Sequence, residues 1–192
     1  MNKLLVILVC AFALSSNVTL GQGMCFYTGI SIHKNQSPIL TPEGTANTGH
    51  LIGADGRIGD EGFHFIISLQ YHRLNFDASE NYQWRATDPT IQYLKGRGGF
   101  AFKIFNIGKK IKTKFRVLGS IDYLLNAPDL QNNDLPTNHV FNDAVAGVVG
   151  GLEIDFDFIT LQVDYEKGFL RALNQTDETS FNSWTTTLGF NF

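Results

Sequence analysis

Four histidines of this chain are expected near one end of its predicted strands: His33, His50, His72 and His139. Such a group could hold a metal ion or supply a base for a nucleophile, and Ser31 and Ser68 lie on predicted strands. No spacing among these residues matches a catalytic triad or a metal site. We therefore interpret the histidines as paired side chains or as solvated loop residues.

Two neighbouring carboxylates, Asp164 and Glu166, are of the type that performs acid and base steps in glycoside hydrolysis. At positions i and i+2 of a strand they share one face, and Arg and Lys side chains are expected opposite them. A structural role in ion pairs is therefore the better interpretation.

Oxygen-bearing side chains of the segment Asp129–Asp134 resemble calcium ligands in type. The segment lacks the glycine and the distal glutamate of a calcium-binding loop. Asp177 and Glu178 lie in another polar segment and are expected to be solvated. The sequence thus predicts no catalytic residue, no cofactor and no metal site, and it predicts that the protein is not an enzyme.

The composition favours a folded domain. The chain has 192 residues, of which 17% are charged and 12% aromatic, with 19 Gly, 16 Phe and a net charge of −3. This balance argues against disorder, collagen and coiled coils. No long run of Lys and Arg provides the positive surface that nucleic-acid binding requires, so nucleic acid is not an expected partner.

The first residues resemble a secretory signal peptide. A short basic start ends at Lys3, an apolar run follows from Leu4 to Leu14, and small residues precede a cleavage site before Gln22, with an earlier cut near Ser16 as the alternative. The run is too short for a transmembrane helix. We expect residues 1–21 to be removed and residues 22–192 to form one domain, which then retains one cysteine, too few for a disulfide scaffold or a four-cysteine zinc site.

Apolar and polar residues alternate with a period of two after Gln22, and this pattern predicts strands. Eight are expected: Gly23–Lys34, Thr48–Ile58, Phe63–Phe76, Thr90–Phe105, Ile111–Leu124, Val140–Asp155, Ile159–Phe169 and Phe181–Phe192. The links alternate between short turns and longer polar segments, the latter being 35–47, 77–89, 125–139 and 170–180. Such alternation is typical of an antiparallel up-and-down barrel with short turns at one rim and long loops at the other, as in outer membrane barrels.

The alternating faces favour a transmembrane barrel over a soluble one. Trp184, Leu188 and Phe190 share one face of the last strand, while Thr185 and Thr187 share the other, and in the fifth strand the apolar face opposes Arg116 and Ser120. The residues expected to face lipid are Phe26, Ile30, Ile32, Phe115, Val117, Ile121, Leu161, Val163, Leu188 and Phe190. Aromatic residues at strand ends match the girdles of membrane barrels, and the strands are long enough to span the bilayer. A soluble lipocalin-type ligand-binding barrel is the alternative, although its Gly-x-Trp start is missing from the first strand.

Several segments resemble the small PorT-like outer membrane β-barrel family of Bacteroidetes. They are Tyr93–Gly96, Val117–Ala127, Ala146–Glu153, Phe158–Tyr165 and Leu188–Phe192. The chain departs from the family pattern between Tyr93 and Gly99, where it has charged residues and several glycines. The resemblance implies an eight-stranded barrel in the bacterial outer membrane, with membrane lipid and the barrel-insertion machinery as partners.

A lumen filled by ion pairs is the expected interior, because an eight-stranded barrel has room for little more than its own side chains. The charged residues expected to point inward are Asp55, Arg57, Lys95, Arg97, Lys103, Lys112, Lys114, Arg116, Asp122, Glu153, Asp164 and Glu166. The function that follows is structural, or an interaction with an extracellular partner through the long loops. A narrow pore, an accessory of a secretion machine and an outer membrane enzyme are the alternatives.

Overall fold

A computed structural model describes residues 23–35, 46–75, 90–108, 110–126, 142–171 and 180–192, and the statements below concern these residues. The predicted signal peptide, His139, the segment Asp129–Asp134, and Asp177 with Glu178 lie outside the described residues. Among the residues that are described, no helix is long and apolar enough to cross a membrane.

Eight antiparallel strands close into a barrel in which each strand pairs with its neighbours in the chain and β8 pairs with β1. They are β1 (Gly23–Asn35), β2 (Asn47–Gly59), β3 (Phe63–Asn75), β4 (Thr90–Ile107), β5 (Ile111–Asn126), β6 (Ala144–Phe156), β7 (Ile159–Arg171) and β8 (Ser180–Asn191). The strand number, order and alternation of links agree with the sequence-based prediction.

The start of β6 was predicted too early. The strand begins at Ala144 rather than at Val140, and its pairing with β5 starts at the pair Tyr123–Ala144. Asn142 and Asp143 precede it outside the strand, and both are residue types that are disfavoured in strands. The carbonyl oxygen of Asp143 instead accepts a hydrogen bond from the backbone N–H of Leu124 at 2.8 Å.

The strands are strongly tilted. Residue pairs followed around the barrel from His33 through β8, β7, β6, β5, β4, β3 and β2 return to β1 at Gly23, a displacement of 33 − 23 = 10 residues. With a rise of about 3.3 Å per residue and a strand spacing of about 4.8 Å, this displacement corresponds to a tilt of about 40°. At that tilt a strand of 13 residues spans about 33 Å, which exceeds the apolar band of a membrane barrel.

The exterior of the barrel is apolar and the interior is polar. Trp184 and Leu188 of β8 are about half exposed, whereas Thr185 and Thr187 between them are buried. The same alternation holds for the predicted lipid-facing residues Phe26, Ile30, Ile32, Phe115, Val117, Ile121 and Val163, which are all exposed, while Leu161 is half-buried. A soluble ligand-binding barrel requires the opposite arrangement. The chain therefore folds as an eight-stranded antiparallel up-and-down transmembrane β-barrel.

Aromatic side chains lie at both ends of the exterior. Phenylalanines are concentrated at the short-turn end, where Phe63 stacks on Phe100 with ring centroids 5.3 Å apart. At the long-loop end Tyr165 contacts Trp184 at 4.9 Å, and Tyr123 is exposed. These positions match the two interfacial girdles of a membrane barrel.

Short turns connect the strands at the rim opposite the long loops. In the turn between β2 and β3, the Asp60 side chain accepts hydrogen bonds from the backbone N–H groups of Gly62 and Phe63, each at 2.7 Å. These two donors, Phe63 first, lower the pKa of the Asp60 carboxyl. Gly59 precedes the turn with a φ of 134°, a conformation that only glycine adopts without strain.

Candidate functional site: the ion-paired interior

Charged side chains from five of the eight strands meet inside the barrel. The cations are Arg57, Lys95, Arg97, Lys114 and Arg116, and the anions are Asp55, Asp122, Glu153, Asp155, Asp164 and Glu166. All of them occupy the inward positions of strands whose alternate residues face the membrane. Because a charge buried alone costs several kcal/mol, their mutual pairing is what permits them there.

In the half of the lumen nearest the short turns, Lys114 lies between two carboxylates. Its Nζ is 2.6 Å from Asp155 Oδ2 and 3.1 Å from Glu153 Oε1. Glu153 is fully buried and also contacts Arg57 at 3.3 Å and Arg116 at 3.7 Å. One glutamate thus joins three cations, so no charge in this part of the lumen stands alone.

In the half of the lumen nearest the long loops, the ion pairs continue through Arg97 and Lys95. Asp164 Oδ2 is 3.8 Å from Arg116 and 3.0 Å from Arg97. Arg97 also contacts Glu166 at 3.1 Å, and Glu166 contacts Lys95 at 2.6 Å. Lys95 ends the series on Asp122 at 3.0 Å. Cations and anions therefore alternate without a break from Asp155 to Asp122, and we call this series the interior ion-pair chain.

Two predicted interior charges lie outside the lumen, and one interior charge was missed. Lys103 is exposed, because it follows Phe102, the last β4 residue that pairs with β3, and lies where the β4–β5 hairpin extends beyond its neighbour. Lys112 is only partly buried at the rim and pairs with Glu61 of the β2–β3 turn at 2.7 Å. Asp155 was overlooked, although it alternates with Glu153 and is buried.

Tyr27 organises a neutral hydrogen-bond cluster beside the ion pairs. Its hydroxyl donates to Asp55 Oδ1 at 2.8 Å and accepts from Gln70 Nε2 at 2.8 Å. Since that single hydroxyl hydrogen is used on Asp55, the 2.7 Å contact with Ser68 Oγ has the serine as donor. The Gln70 carboxamide extends the cluster to His72 Nε2 at 2.8 Å.

Glycines provide the space for these side chains. Tyr27 pairs with Gly53 on one side and Gly189 on the other, and a Cβ on Gly53 would lie 2.7 Å from the tyrosine ring. Gly151 lies between Arg116 and Asp164 in the pairing, and a Cβ there would overlap the aspartate carboxylate. The buried tyrosine and the central ion pair therefore depend on strand glycines next to them.

A small cavity opens at the long-loop end of the lumen. Its lining includes His33, His72, Lys95, Asp122 and Glu166. The volume of about 20 Å³ is enough for roughly one water molecule and too small for an organic ligand. The histidines predicted near this rim are thus divided, because His33 and His72 face the cavity while His50 faces the exterior.

The residue types that suggested catalysis are not assembled into a reactive site within the described ranges. Asp164 and Glu166 both contact cations, and Ser68 is bonded to Tyr27. No group of three or more His, Cys, Asp or Glu side chains among the described residues is placed to hold a metal ion. Sequence reasoning missed the Tyr27 cluster, since nothing in the pattern indicates which strand partner receives an inward hydroxyl.

Fold and interior together define a transmembrane β-barrel with a side-chain-filled lumen. No family model and no curated protein matches the chain. Among solved structures it is similar to Neisserial surface protein A (NspA), with a TM-score of 0.50 and 11% sequence identity, covering 90% of this chain and 97% of that chain.

Two further solved structures are similar. The N-terminal β-barrel domain of Pseudomonas aeruginosa OprF has a TM-score of 0.46 and 10% identity, covering 90% of this chain and 98% of that one. Ail, the attachment invasion locus protein of Yersinia pestis, solved with the heparin analogue sucrose octasulfate, has a TM-score of 0.44 and 11% identity, covering 90% and 100%. At such identities the likeness to NspA establishes the fold alone.

Proposed function

We propose that this protein is a bacterial outer membrane β-barrel without enzymatic activity, with a closed lumen and a structural or surface-interaction role carried by its long loops. Membrane lipid surrounds its apolar exterior, and the barrel-insertion machinery acts on β8 and on Phe192, which follows it. Residues 1–21 serve as the export signal. N-terminal sequencing of the membrane-extracted protein tests that cleavage, with Gln22 as the expected first residue.

The interior ion-pair chain is the observation that supports a closed lumen. Eleven ion pairs within the described residues join five cations and six anions. Arg116 in the middle is fully buried, and its guanidinium contacts Asp55, Glu153 and Asp164. A continuous water path would have to displace these contacts, which leave little room in a barrel of eight strands.

Planar-bilayer recording of the purified protein tests the closed lumen. We expect no discrete conductance steps, while heat-modifiable gel migration and detergent extraction confirm that the inserted barrel is folded. Arg97→Ala combined with Arg116→Ala serves as the open control, because it removes two side chains that fill the lumen. Regular conductance steps from the unmodified protein would refute a closed lumen and favour the narrow pore.

The absence of enzymatic activity has its own test. Outer membrane hydrolysis of lipid or peptide requires a base near the outer rim, and His50 and His139 are the rim histidines predicted from the sequence. We expect membranes containing the protein to show no such activity above those lacking it. Activity that is lost in His50→Ala or His139→Ala would contradict the proposal.

We also propose that the barrel belongs to the PorT-like family, on the basis of the short segments that resemble that family. The alternative function that this resemblance implies is an accessory role in protein secretion, which gene deletion examines directly. We expect export of other proteins to continue in the deletion strain while the surface composition changes. A block of export would replace the surface role with an accessory role in secretion.

A further inference from the structure

The exterior of the barrel has a one-sided charge distribution. Basic side chains that point outward from the described strands are Lys34, His50, Arg73 and Lys167, all close to the long-loop end. Every Asp and Glu of these strands whose side chain is described points inward. The outward positions nearer the short turns carry uncharged residues, mostly Phe, Ile, Leu and Val. The outward side chains described for these strands thus carry net positive charge at the long-loop end.

Two of these lysines lie in one row across three strands. Lys34 of β1 pairs with Asn182 of β8, and Asn182 pairs with Lys167 of β7. Their inward neighbours His33 and Glu166 are buried, so the row faces outward. Two strand spacings place the lysine Cα atoms about 10 Å apart. We call Lys34, Asn182 and Lys167 the basic row.

The basic row contacts no carboxylate among the described residues. The interior cations, by contrast, each contact more than one carboxylate. Arg73 of β3, which pairs with His50 of β2, continues the positive charge along the same rim. Trp184, two residues from Asn182 in β8, lies about half exposed at the level where an interfacial indole is expected. Cations that contact no carboxylate in the described ranges, beside an interfacial indole, match the position of lipid headgroups.

We propose that the basic row binds a phosphate-bearing lipid headgroup in the leaflet that surrounds the long-loop end. The lysine ammonium groups supply charge, the Asn182 amide supplies a hydrogen-bond donor, and Trp184 contacts the lipid at the interface. This inference rests on the proposed membrane function and deepens it by naming the lipid chemistry. A glycerophospholipid with one phosphate and a glycolipid with two are the two sources of such a headgroup.

The position of Trp184 permits a direct binding assay. The chain has two tryptophans, so Trp84→Phe leaves Trp184 as the only indole. Brominated phosphatidylglycerol in phosphatidylcholine bilayers quenches this indole in proportion to its local occupancy, and brominated phosphatidylcholine gives the baseline. We expect excess quenching by the anionic lipid, and we expect 0.5 M salt to reduce that excess because it screens exposed charges.

Substitution of the lysines tests whether the basic row causes the excess. Lys34→Gln and Lys167→Gln should each weaken the preference for the anionic lipid about fivefold. Lys103→Gln makes the same change in net charge at the short-turn end and should leave the quenching unaltered. Stronger displacement by unlabelled bis-phosphorylated lipid A than by unlabelled phosphatidylglycerol would identify a glycolipid, and equal displacement would identify phosphate alone.

Three results would overturn the inference. The first is equal quenching by the two brominated lipids. The second is excess quenching by the anionic lipid that persists in both lysine variants. The third is excess quenching that the short-turn control variant also abolishes. A barrel that is folded, inserted and silent in bilayer recordings while lacking the lipid preference refutes this inference alone. A protein that does not enter the bilayer refutes the proposed function.

Discussion

Replacement of Arg116 by methionine removes the cation at the centre of the interior ion-pair chain. Its guanidinium lies 3.3 Å from Asp55, 3.7 Å from Glu153 and 3.8 Å from Asp164. After the substitution Glu153 retains other cations and Asp164 retains Arg97. Asp55 loses the one cation that it contacts among the described residues, and its carboxylate then depends on hydrogen bonds from neutral groups.

The cost of leaving that carboxylate without a cation sets the expected effect. Breaking a buried ion pair on one side lowers the free energy of unfolding by roughly 3–5 kcal/mol. Asp55→Asn added to Arg116→Met removes the uncompensated charge, so the double variant should be more stable than the single variant. Lys112→Met is the matched control, since its partner Glu61 is exposed and water screens the pair, so its loss should change the stability little.

Urea unfolding of the barrel in lipid vesicles, followed by tryptophan fluorescence and by the gel shift between folded and unfolded forms, measures these differences. We expect the order control, then double variant, then Arg116→Met, from most to least stable. An Arg116→Met loss no larger than that of Lys112→Met would refute the idea that the buried pairs hold the interior together. A double variant that is less stable than Arg116→Met alone would also refute this idea.

Three other substitutions test separate parts of the fold by the same unfolding measurement. Gly151→Ala should lower the free energy of unfolding by roughly 1–3 kcal/mol because the methyl group overlaps a buried carboxylate. Gly150→Ala is the control and should change the stability little, since there is open space at its Cβ. Equal effects of the two substitutions would contradict this packing. Tyr27→Phe should cost roughly 1–3 kcal/mol because three polar partners lose their hydroxyl contact, while exposed Tyr123→Phe should be near neutral. The lowered pKa of Asp60 means that its contribution is present above the unfolded-state pKa and is lost as the pH falls through the folded-state value. Asp60→Asn should therefore flatten the acid dependence of stability, and an unchanged profile would show that the turn does not depend on the carboxylate.

Strand alternation is why much of the barrel could be predicted from the sequence. In β5 the residues Phe115, Val117 and Ile121 face the membrane and Arg116 and Ser120 face inward, as predicted. A period of two is a local property, since successive side chains of any strand point to opposite faces. The strand count and the order of short and long links follow from the same local signals.

The pairing of interior charges could not be predicted, because it depends on register around the closed barrel. Arg97 and Asp164 are 67 residues apart in the chain and meet only through the ten-residue displacement that closure produces. The wrong prediction for Lys103 also arises from register. Its side chain alternates inward as predicted, but β4 extends past β3 at that point, so Lys103 is exposed. Alternation gives the direction of a side chain and gives no information on its height in the barrel.

Contact with lipid chains tests the central arrangement of this barrel most directly. Methyl-labelled protein in bilayers, studied by magnetisation transfer from lipid CH₂ groups in solid-state NMR, should give strong signals for exterior Val117, Ile121 and Leu188. Leu118 and Val149, which pack with each other inside, should give none. Transfer to the interior pair without transfer to the exterior residues would contradict an apolar exterior in lipid and a polar, ion-paired lumen.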